Sequence, residues 1–284
     1  MLLTALCLLT GCGGRNGEIV VLSREDGSGT RSAFVQLTGV EITDPQGCKQ
    51  DRTIDTAEIT NSTGVMLSSV ADDACAIGYV SLGALNSRVK PLAVDGAAAT
   101  PENVRNGSYP ISREFFVVLP QEPSATAWGF VEFILGGQGK AVVEEAGYIS
   151  CGTEEQGREQ HAEGAVTVSG SSSVFPVMEK LAEAYMALQP NVEIVLQVSD
   201  STTGIRDAAG GLCDIGMVSR RLTEEELRNV TVVTVALDGI AVIVHPDNPV
   251  EEVTCQQLCG IYTGAVTVWT ELLQTDVSEW GGHW

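Results

Sequence analysis

Residues 18–37 read EIVVLSREDGSGTRSAFVQL, and the succession of residue types in this stretch decides the fold. Glu18 to Leu22 is a short β-branched apolar run, the pattern of a buried strand. Ser23 to Thr30 is polar and carries glycine, so it reads as a loop, and Arg31 to Leu37 reads as a helix. The unit is strand, loop, helix. It recurs from Ala165, where AVTVS is a strand, Gly170-Ser171-Ser172-Ser173 a loop and Val177 to Leu188 an amphipathic helix. Further strands are expected at 192–198, 213–218, 230–236 and 239–244. Strands alternating with helical stretches give an α/β fold with mainly parallel sheets.

The rest of the chain is consistent with two such lobes. Its 284 residues are enough for two bodies with separate cores. Between the two copies of the unit, Cys151 to Gly164 (CGTEEQGREQHAEG) is polar, charged and aperiodic, a surface linker. Lys and Arg number 16 against 37 Asp and Glu, a formal charge of −21. That balance excludes nucleic acid, which is held by clustered cations, and it excludes a basic membrane-surface patch. With 44% hydrophobic residues the composition is globular, and no apolar run has the ~20 residues of a spanning helix.

The N-terminus bears on the compartment. MLLTALCLL, residues 1–9, followed by Thr10-Gly11-Cys12, reads as a secretory signal. Leu9 to Cys12 also resembles a bacterial lipobox, in which Cys12 becomes the lipidated N-terminus and tethers the protein to the membrane. A buried first strand with an incidental cysteine is the other reading, and no Lys or Arg precedes Arg15. If Cys7 is removed and Cys12 lipidated, Cys48, Cys75, Cys151, Cys213, Cys255 and Cys259 remain, an even set compatible with disulfides. Their pairing stays open, although Cys255 and Cys259, four apart on a helix, suit each other poorly. No C-x-x-C occurs and the three histidines are scattered, so no metal and no cofactor is expected.

Three loops carry the chemistry. Ser23 to Thr30 lies after a strand and before a helix, where free backbone N–H groups, small hydroxyls and the helix dipole act at one point. Glycines let the backbone close on a ligand, and Arg24 adds a planar, permanently charged fork that suits an oxyanion. The same residues also read as an ordinary helix cap with glycine turns. Ser169 to Ser173 and Ser199 to Gly204 occupy the same strand-to-helix position, and ligands of open α/β sheets lie beyond the carboxyl ends of the strands. Ser219-Arg220-Arg221 follows the strand Asp214 to Val218. It is either a fourth such loop or a solvated charge pair ahead of the helix at Thr223. Enzyme signatures are absent: there is no G-x-x-x-x-G-K-[ST] and no G-x-S-x-G, no histidine lies near a serine loop, and Glu224 to Glu226 reads as a solvated helix face. No enzyme is expected.

SREDGSGTRSAF (23–34), AIGYVSLGAL (76–85), VSGSSSVFPVMEKLAEAY (168–185), CDIGMVSRRL (213–222) and GIYTGAVTVWTEL (260–272) together resemble the phosphate-binding proteins of bacterial phosphate ABC transporters. The resemblance covers nearly the whole chain from Gly17. It implies a two-lobed type II periplasmic-binding-protein fold with hinge strands. The halves stand in the opposite order, however: in the family the part like Val166–Gly282 comes first and the part like Glu18–Ser150 follows. The resemblance therefore implies circular permutation, with 151–164 joining the usual termini and Glu279 to Gly282 leading toward the strand at Glu18. A fragment spanning two tandem copies, or two molecules exchanging halves, is the rival explanation. The implied lobes are about 18–109 with 242–282, and 112–150 with 166–240.

Carried over residue by residue, the resemblance implies that Arg24, Ser28, Gly29 and Thr30 bind phosphate from one lobe. Ser172, Ser173 and Ser201 bind it from the other, and Asp26 orients Arg24. Where many members have an aspartate after a serine, this chain has Arg220 after Ser219. Asp26 or Asp200 would then have to accept the proton of hydrogen phosphate. The expected function is an extracytoplasmic, lipid-anchored, monomeric protein that binds inorganic phosphate between its lobes and hands it to an ABC permease. The alternatives are a binding protein for another tetrahedral oxyanion, such as sulfate or molybdate, and a phosphate-sensing or adhesion protein without a transport role.

Overall fold

A computed structural model describes residues 17–44, 48–151 and 163–274. The signal segment with Cys12, residues 152–162 of the linker and Glu279 to Gly282 lie outside the described residues. The architecture is mixed α/β, as the alternating pattern predicts. In chain order its principal elements are β1 (Val20–Arg24), α1 (Gly29–Leu37), β2 (Glu58–Thr60), α2 (Thr63–Asp72), β3 (Ala76–Ser81), β4 (Ser112–Leu119), α3 (Ala125–Leu135) and α4 (Gly137–Glu145). They continue with β5 (Gly164–Ser171), α5 (Phe175–Leu188), β6 (Val192–Ser199), α6 (Ser201–Ala209), β7 (Ile215–Val218), β8 (Thr231–Val244) and α7 (Cys255–Tyr262).

The strands run in the order β6-β5-β7-β4-β8-β3-β1-β2. At each end the pairing is parallel, β1 with β2 and β3, and β5 with β6 and β7. In the middle β4 and β8 pair antiparallel with each other and with their neighbours. β1 is buried along its whole length, as a parallel strand covered on both faces should be. The outermost strand β6 buries Val192 and Ile194 but exposes Val195 and Val198.

One expectation is corrected here. The strands read at 230–236 and 239–244 are a single strand, β8, with a bulge between Thr234 and Ala236. The gap between the two expected strands falls at Leu237-Asp238. In the structure Asp238 is buried and lies directly opposite Arg113 of β4, which satisfies it, so the backbone stays extended. Thr231 to Gly239 pairs with β4, and Ile240 to Val244 pairs with β3.

The buried apolar residues form two main clusters. One contains Ile19 to Ile111, Ile240 to Trp269 and Ile149. The other runs from Phe115 to Tyr148 and from Val166 to Ala236, with a satellite around Phe116, Val118 and Ile205. In the first, Phe34 of α1 stacks on Tyr79 of β3 at 4.0 Å between ring centroids, and Tyr262 of α7 meets Phe34 at 4.7 Å. The Tyr79 hydroxyl then contacts Ser23 Oγ at 2.9 Å and accepts from the Arg24 N–H at 3.2 Å, so an aromatic core contact fixes the start of the polar loop.

Cys48, Cys75, Cys151, Cys213, Cys255 and Cys259 are free thiols, and no disulfide joins the described residues. Burial pushes the Cys213 thiol up to about 11 and that of Cys255 to about 12, so both are protonated at neutral pH. Among the described residues no helix is long and apolar enough to cross a membrane.

Candidate functional site

Four strand ends deliver polar residues to one place. Arg24 closes β1 and is 2% exposed. After it the chain turns into α1, whose N-cap Ser28 accepts from the Arg31 N–H at 3.3 Å. A Cβ on Gly29 would run into the hydroxyls of Ser201 and Ser219, so this glycine allows one half of the molecule to approach the other. From the other half, β5 ends at Ser171, and Ser172 and Ser173 follow it. Gly170 turns that chain at φ 133°, where a Cβ would strike the backbone of Met217. Ser201 opens α6 beneath its N-cap Asp200, and Ser219 follows β7.

The resulting cluster is knit across the halves. Arg24 Nη2 donates to Ser172 Oγ at 3.1 Å, and the hydroxyls of Thr30 and Ser173 meet at 2.5 Å. Ser219 Oγ lies 2.8 Å from Ser171 Oγ and 3.2 Å from Ser201 Oγ, while the Ser219 N–H donates to Ser201 Oγ at 3.0 Å. Thr63, at the start of α2, donates its N–H to Ser172 Oγ at 3.3 Å, and its hydroxyl reaches Ser173 Oγ at 3.4 Å. Arg24, Ser28, Thr30, Thr63, Ser171, Ser172, Ser173, Ser201 and Ser219 are all buried. Each hydroxyl carries one rotatable donor, so the cluster can turn its protons toward a common acceptor. The starts of α1, α2 and α6 add the positive ends of their dipoles. Arg24 Nη1 is buried and has no hydrogen-bond partner among the described residues. A cavity of about 410 Å³, lined by Ser62, Thr63, Leu67, Ser172, Phe175 and Val198, adjoins the cluster.

Of the residues expected from sequence, the structure brings Arg24, Ser28, Gly29, Thr30, Ser172, Ser173, Ser201 and Ser219 together. Two expectations are corrected. Asp26 does not orient Arg24. Its side chain is 97% exposed and accepts from Arg31 Nη1 at 2.8 Å, because the chain has already turned outward there. Glu25 takes the role instead: Arg24 Nε donates to Glu25 Oε2 at 2.8 Å and Nη2 to Oε1 at 2.7 Å. Arg220 stands outside the hydroxyl cluster. Glu226 grips it through two hydrogen bonds of 2.8 and 2.9 Å, and it donates to Thr202 Oγ1 at 3.1 Å. Those bonds hold the Glu226 carboxyl below its usual range. Asp200 is occupied in capping α6, accepting from the Thr203 N–H at 2.9 Å and its hydroxyl at 2.8 Å.

Sequence reading placed Ser171 and Glu25 within the chemistry-bearing loops without giving either a role, and it missed Thr63 and the pair Arg113–Asp238. Asn61-Ser62-Thr63-Gly64 carries the hydroxyl-and-glycine signature, but the strand before it, β2, is too short to announce itself. Asp238 stands in an otherwise uncharged strand, TVVTVALDGIAVIV, and a lone charge in such a run calls for a buried partner, which Arg113 of SREFFVVL supplies. Asp238 accepts from Arg113 Nε at 3.2 Å and Nη2 at 3.1 Å, and from Ser81 Oγ at 2.8 Å and the Leu82 N–H at 3.1 Å. Burial pushes the Asp238 carboxyl up to about 6, with Arg113 opposing. Arg113 Nη1 donates to the Ser219 carbonyl at 3.1 Å, so the pair touches the backbone of the cluster.

Comparison with known proteins gives the family. Residues 11–138 and 156–279 match the family model described as PBP superfamily domain. The phosphate-binding protein PstS 2 of Streptococcus agalactiae is 44% identical over 278 residues, 95% of this chain and 94% of that protein. The crystal structure of a phosphate ABC transporter, phosphate-binding protein from Streptococcus pneumoniae is 43% identical, with a TM-score of 0.71 over 90% of this chain and 99% of that one. The phosphate-binding protein PstS of Pseudomonas aeruginosa is 30% identical over 157 residues, 52% of this chain and 47% of that protein. The chain belongs to the periplasmic-binding-protein superfamily, in the family of the streptococcal PstS 2 proteins.

Proposed function

We propose that the chain is an extracytoplasmic solute-binding protein that holds inorganic phosphate in the hydroxyl cluster and delivers it to the permease of an ABC transporter. One observation carries this reading: the buried Arg24 keeps Nη1 without a partner among the described residues. Leaving a buried charged donor unmet costs about 1–3 kcal/mol or more, so the site is made for an acceptor supplied from outside. Nη1 gives that acceptor a charge-assisted hydrogen bond. Thr30, Ser172, Ser173, Ser201 and Ser219 turn their hydroxyl protons toward it, and main-chain N–H groups at the starts of α1 and α6 complete the shell. The relatives named as phosphate-binding proteins support phosphate as the ion.

The same reading covers the organisation of the chain. The lobes are taken as about 18–109 with 242–282, and 112–150 with 166–240, a division supported by the two core clusters. β8 is the hinge element, since it passes from one cluster to the other. The order of the halves is a circular permutation relative to phosphate-binding proteins such as the Pseudomonas one, whose match stops at about half of either chain. The streptococcal relatives match along nearly their whole length in the present order. The protein acts as a monomer tethered through a lipidated Cys12.

A second reading has its own support. The resemblance implies an aspartate where this chain has Arg220, and Asp26 points away from Arg24 to Arg31, which favours a site open to other tetrahedral oxyanions. Calorimetry of the full chain with phosphate, sulfate and molybdate tests both. Saturable binding of phosphate in preference to the others supports the first reading, equal binding of all three supports the second, and absence of binding overturns both.

A further inference from the structure

The cavity beside the hydroxyl cluster has a wall that inorganic phosphate does not use. Thr63 and Ser172 form the seam between the two: the Thr63 N–H donates to Ser172 Oγ at 3.3 Å, and both residues belong to the cluster and also line the cavity of about 410 Å³. Beyond them the lining changes character. Leu67 and Ala84 come from the half that carries Arg24, and Phe175, Pro176 and Val198 from the half that carries Ser172. Ser62 is engaged in capping α2, its hydroxyl accepting from the Val65 N–H at 3.2 Å. Among the described residues that line the cavity none is charged. Val198 is 52% exposed, so the chamber reaches the surface. Its volume lies within the ~300–1,000 Å³ of small-molecule pockets. An anion oxygen aimed at Leu67 or Phe175 would lose its water and gain no donor. A carbon substituent in the same place needs no donor and gains by leaving water.

From this juxtaposition we infer that the site also takes monosubstituted phosphoryl anions, that is, phosphonates or phosphate monoesters whose one organic group is neutral and apolar. The three free oxygens sit in the hydroxyl cluster and the organic group in the chamber lined by Leu67, Phe175 and Val198. The inference rests on the phosphate reading and deepens it by widening the substrate class. The N–H and hydroxyl of Thr63 are the last donors before the apolar wall, so the bond to the substituent passes between Thr63 and Ser172. Both halves contribute to the chamber, and the approach that encloses the anion therefore encloses the substituent as well. The lining also sets a limit on the substituent. A second charge on it, such as a carboxylate, would be taken from water into a chamber with no side chain to pair it.

The test is competition calorimetry at pH 7 on the full chain, with phosphate displaced by phenylphosphonate, phenyl phosphate or phosphonoacetate. Phenylphosphonate and phenyl phosphate are expected to bind saturably and in competition with phosphate, and phosphonoacetate at least about tenfold more weakly than phenylphosphonate. Binding of only one of the two phenyl compounds supports the inference and fixes whether the substituent is carried on carbon or on oxygen. Val198→Trp, a substitution at an exposed position that fills the chamber, is expected to weaken phenylphosphonate at least about fivefold and to leave phosphate within about twofold, with its fold checked by thermal unfolding without ligand. Phosphate binding with no displacement by either phenyl compound overturns the inference, and this arm needs no variant. So does phosphonoacetate binding as tightly as phenylphosphonate, or an equal loss of both ligands in a folded Val198→Trp. Failure of the parent chain to bind phosphate overturns the phosphate reading instead, so the two failures are distinguishable.

Discussion

Arg24 and Arg113 are both buried arginines facing a carboxylate, and they are finished differently. Arg113 spends Nε and Nη2 on Asp238 and Nη1 on the Ser219 carbonyl, and its guanidinium carbon lies 5.0 Å from the centre of the Phe115 ring. Everything it needs comes from the protein. Arg24 spends Nε and Nη2 on Glu25 and Ser172 and keeps Nη1 in reserve. A buried cation completed by its own chain is a structural part, whereas one left with a donor to spare marks a place for a ligand. Burial alone does not separate the two; the count of unmet donors does.

The comparison can be broken by experiment, and the largest expected effect is at Arg113–Asp238. Asp238→Ala strands Arg113 with no carboxylate in the interior and is expected to lower unfolding stability by about 3–5 kcal/mol, read by chemical denaturation without ligand. A loss below about 1 kcal/mol would show that the pair is dispensable. Next comes Arg24→Ala, expected to cost phosphate binding about 2 kcal/mol or more, roughly thirtyfold, in a calorimetric titration. Its ligand-free stability should fall by less than that of Asp238→Ala. The reverse pattern, with stability lost and affinity kept, would exchange the roles assigned to the two arginines.

A smaller effect is expected from pH. Burial raises the folded-state pKa of Asp238 to about 6, above the value of ~3.9 for an exposed aspartate. The native state therefore holds more protons than the unfolded one between those values. The contribution of this group to stability is present below about pH 4 and is lost as pH rises through about 6, at roughly 1.4 kcal/mol per pH unit while the difference lasts. Asp238→Asn should remove that slope, and denaturation curves at pH 4, 5, 6 and 7 compare the two. Identical slopes would mean that Arg113 keeps the carboxylate ionised throughout. The smallest effect is assigned to Thr63→Ala, which removes one rim hydroxyl and is expected to weaken phosphate by about 1 kcal/mol, against no change if Thr63 serves only α2.

Legibility in the sequence followed the range of the interaction. β1, the loop after it and the triple serine of the second half were readable because apolar runs and glycine punctuation act on near neighbours. Leu237-Asp238 falls between two expected strands for the same local reason, although Arg113, the partner of Asp238, lies 125 residues away and keeps the strand whole. Spacing also could not tell which of two adjacent carboxylates Arg24 faces. Glu25 holds it only because the chain reverses immediately afterwards and carries Asp26 outward to Arg31. Thr63 was passed over because Glu58–Thr60 is three residues long, below the length at which alternation becomes a signal. In the site, the residue types were visible in the string of letters, but the direction each side chain takes was not.

The unbroken course of β8 has a consequence for how the molecule comes apart. Its first stretch completes the ladder with β4 and its last stretch the ladder with β3, with no turn between them. Neither core can lose this strand without giving up hydrogen bonds that the other depends on. The halves should therefore melt in one cooperative step despite their separate interiors. Amide protons from Val232 to Val244 should be among the slowest in the chain to exchange with deuterated solvent, released only by global opening.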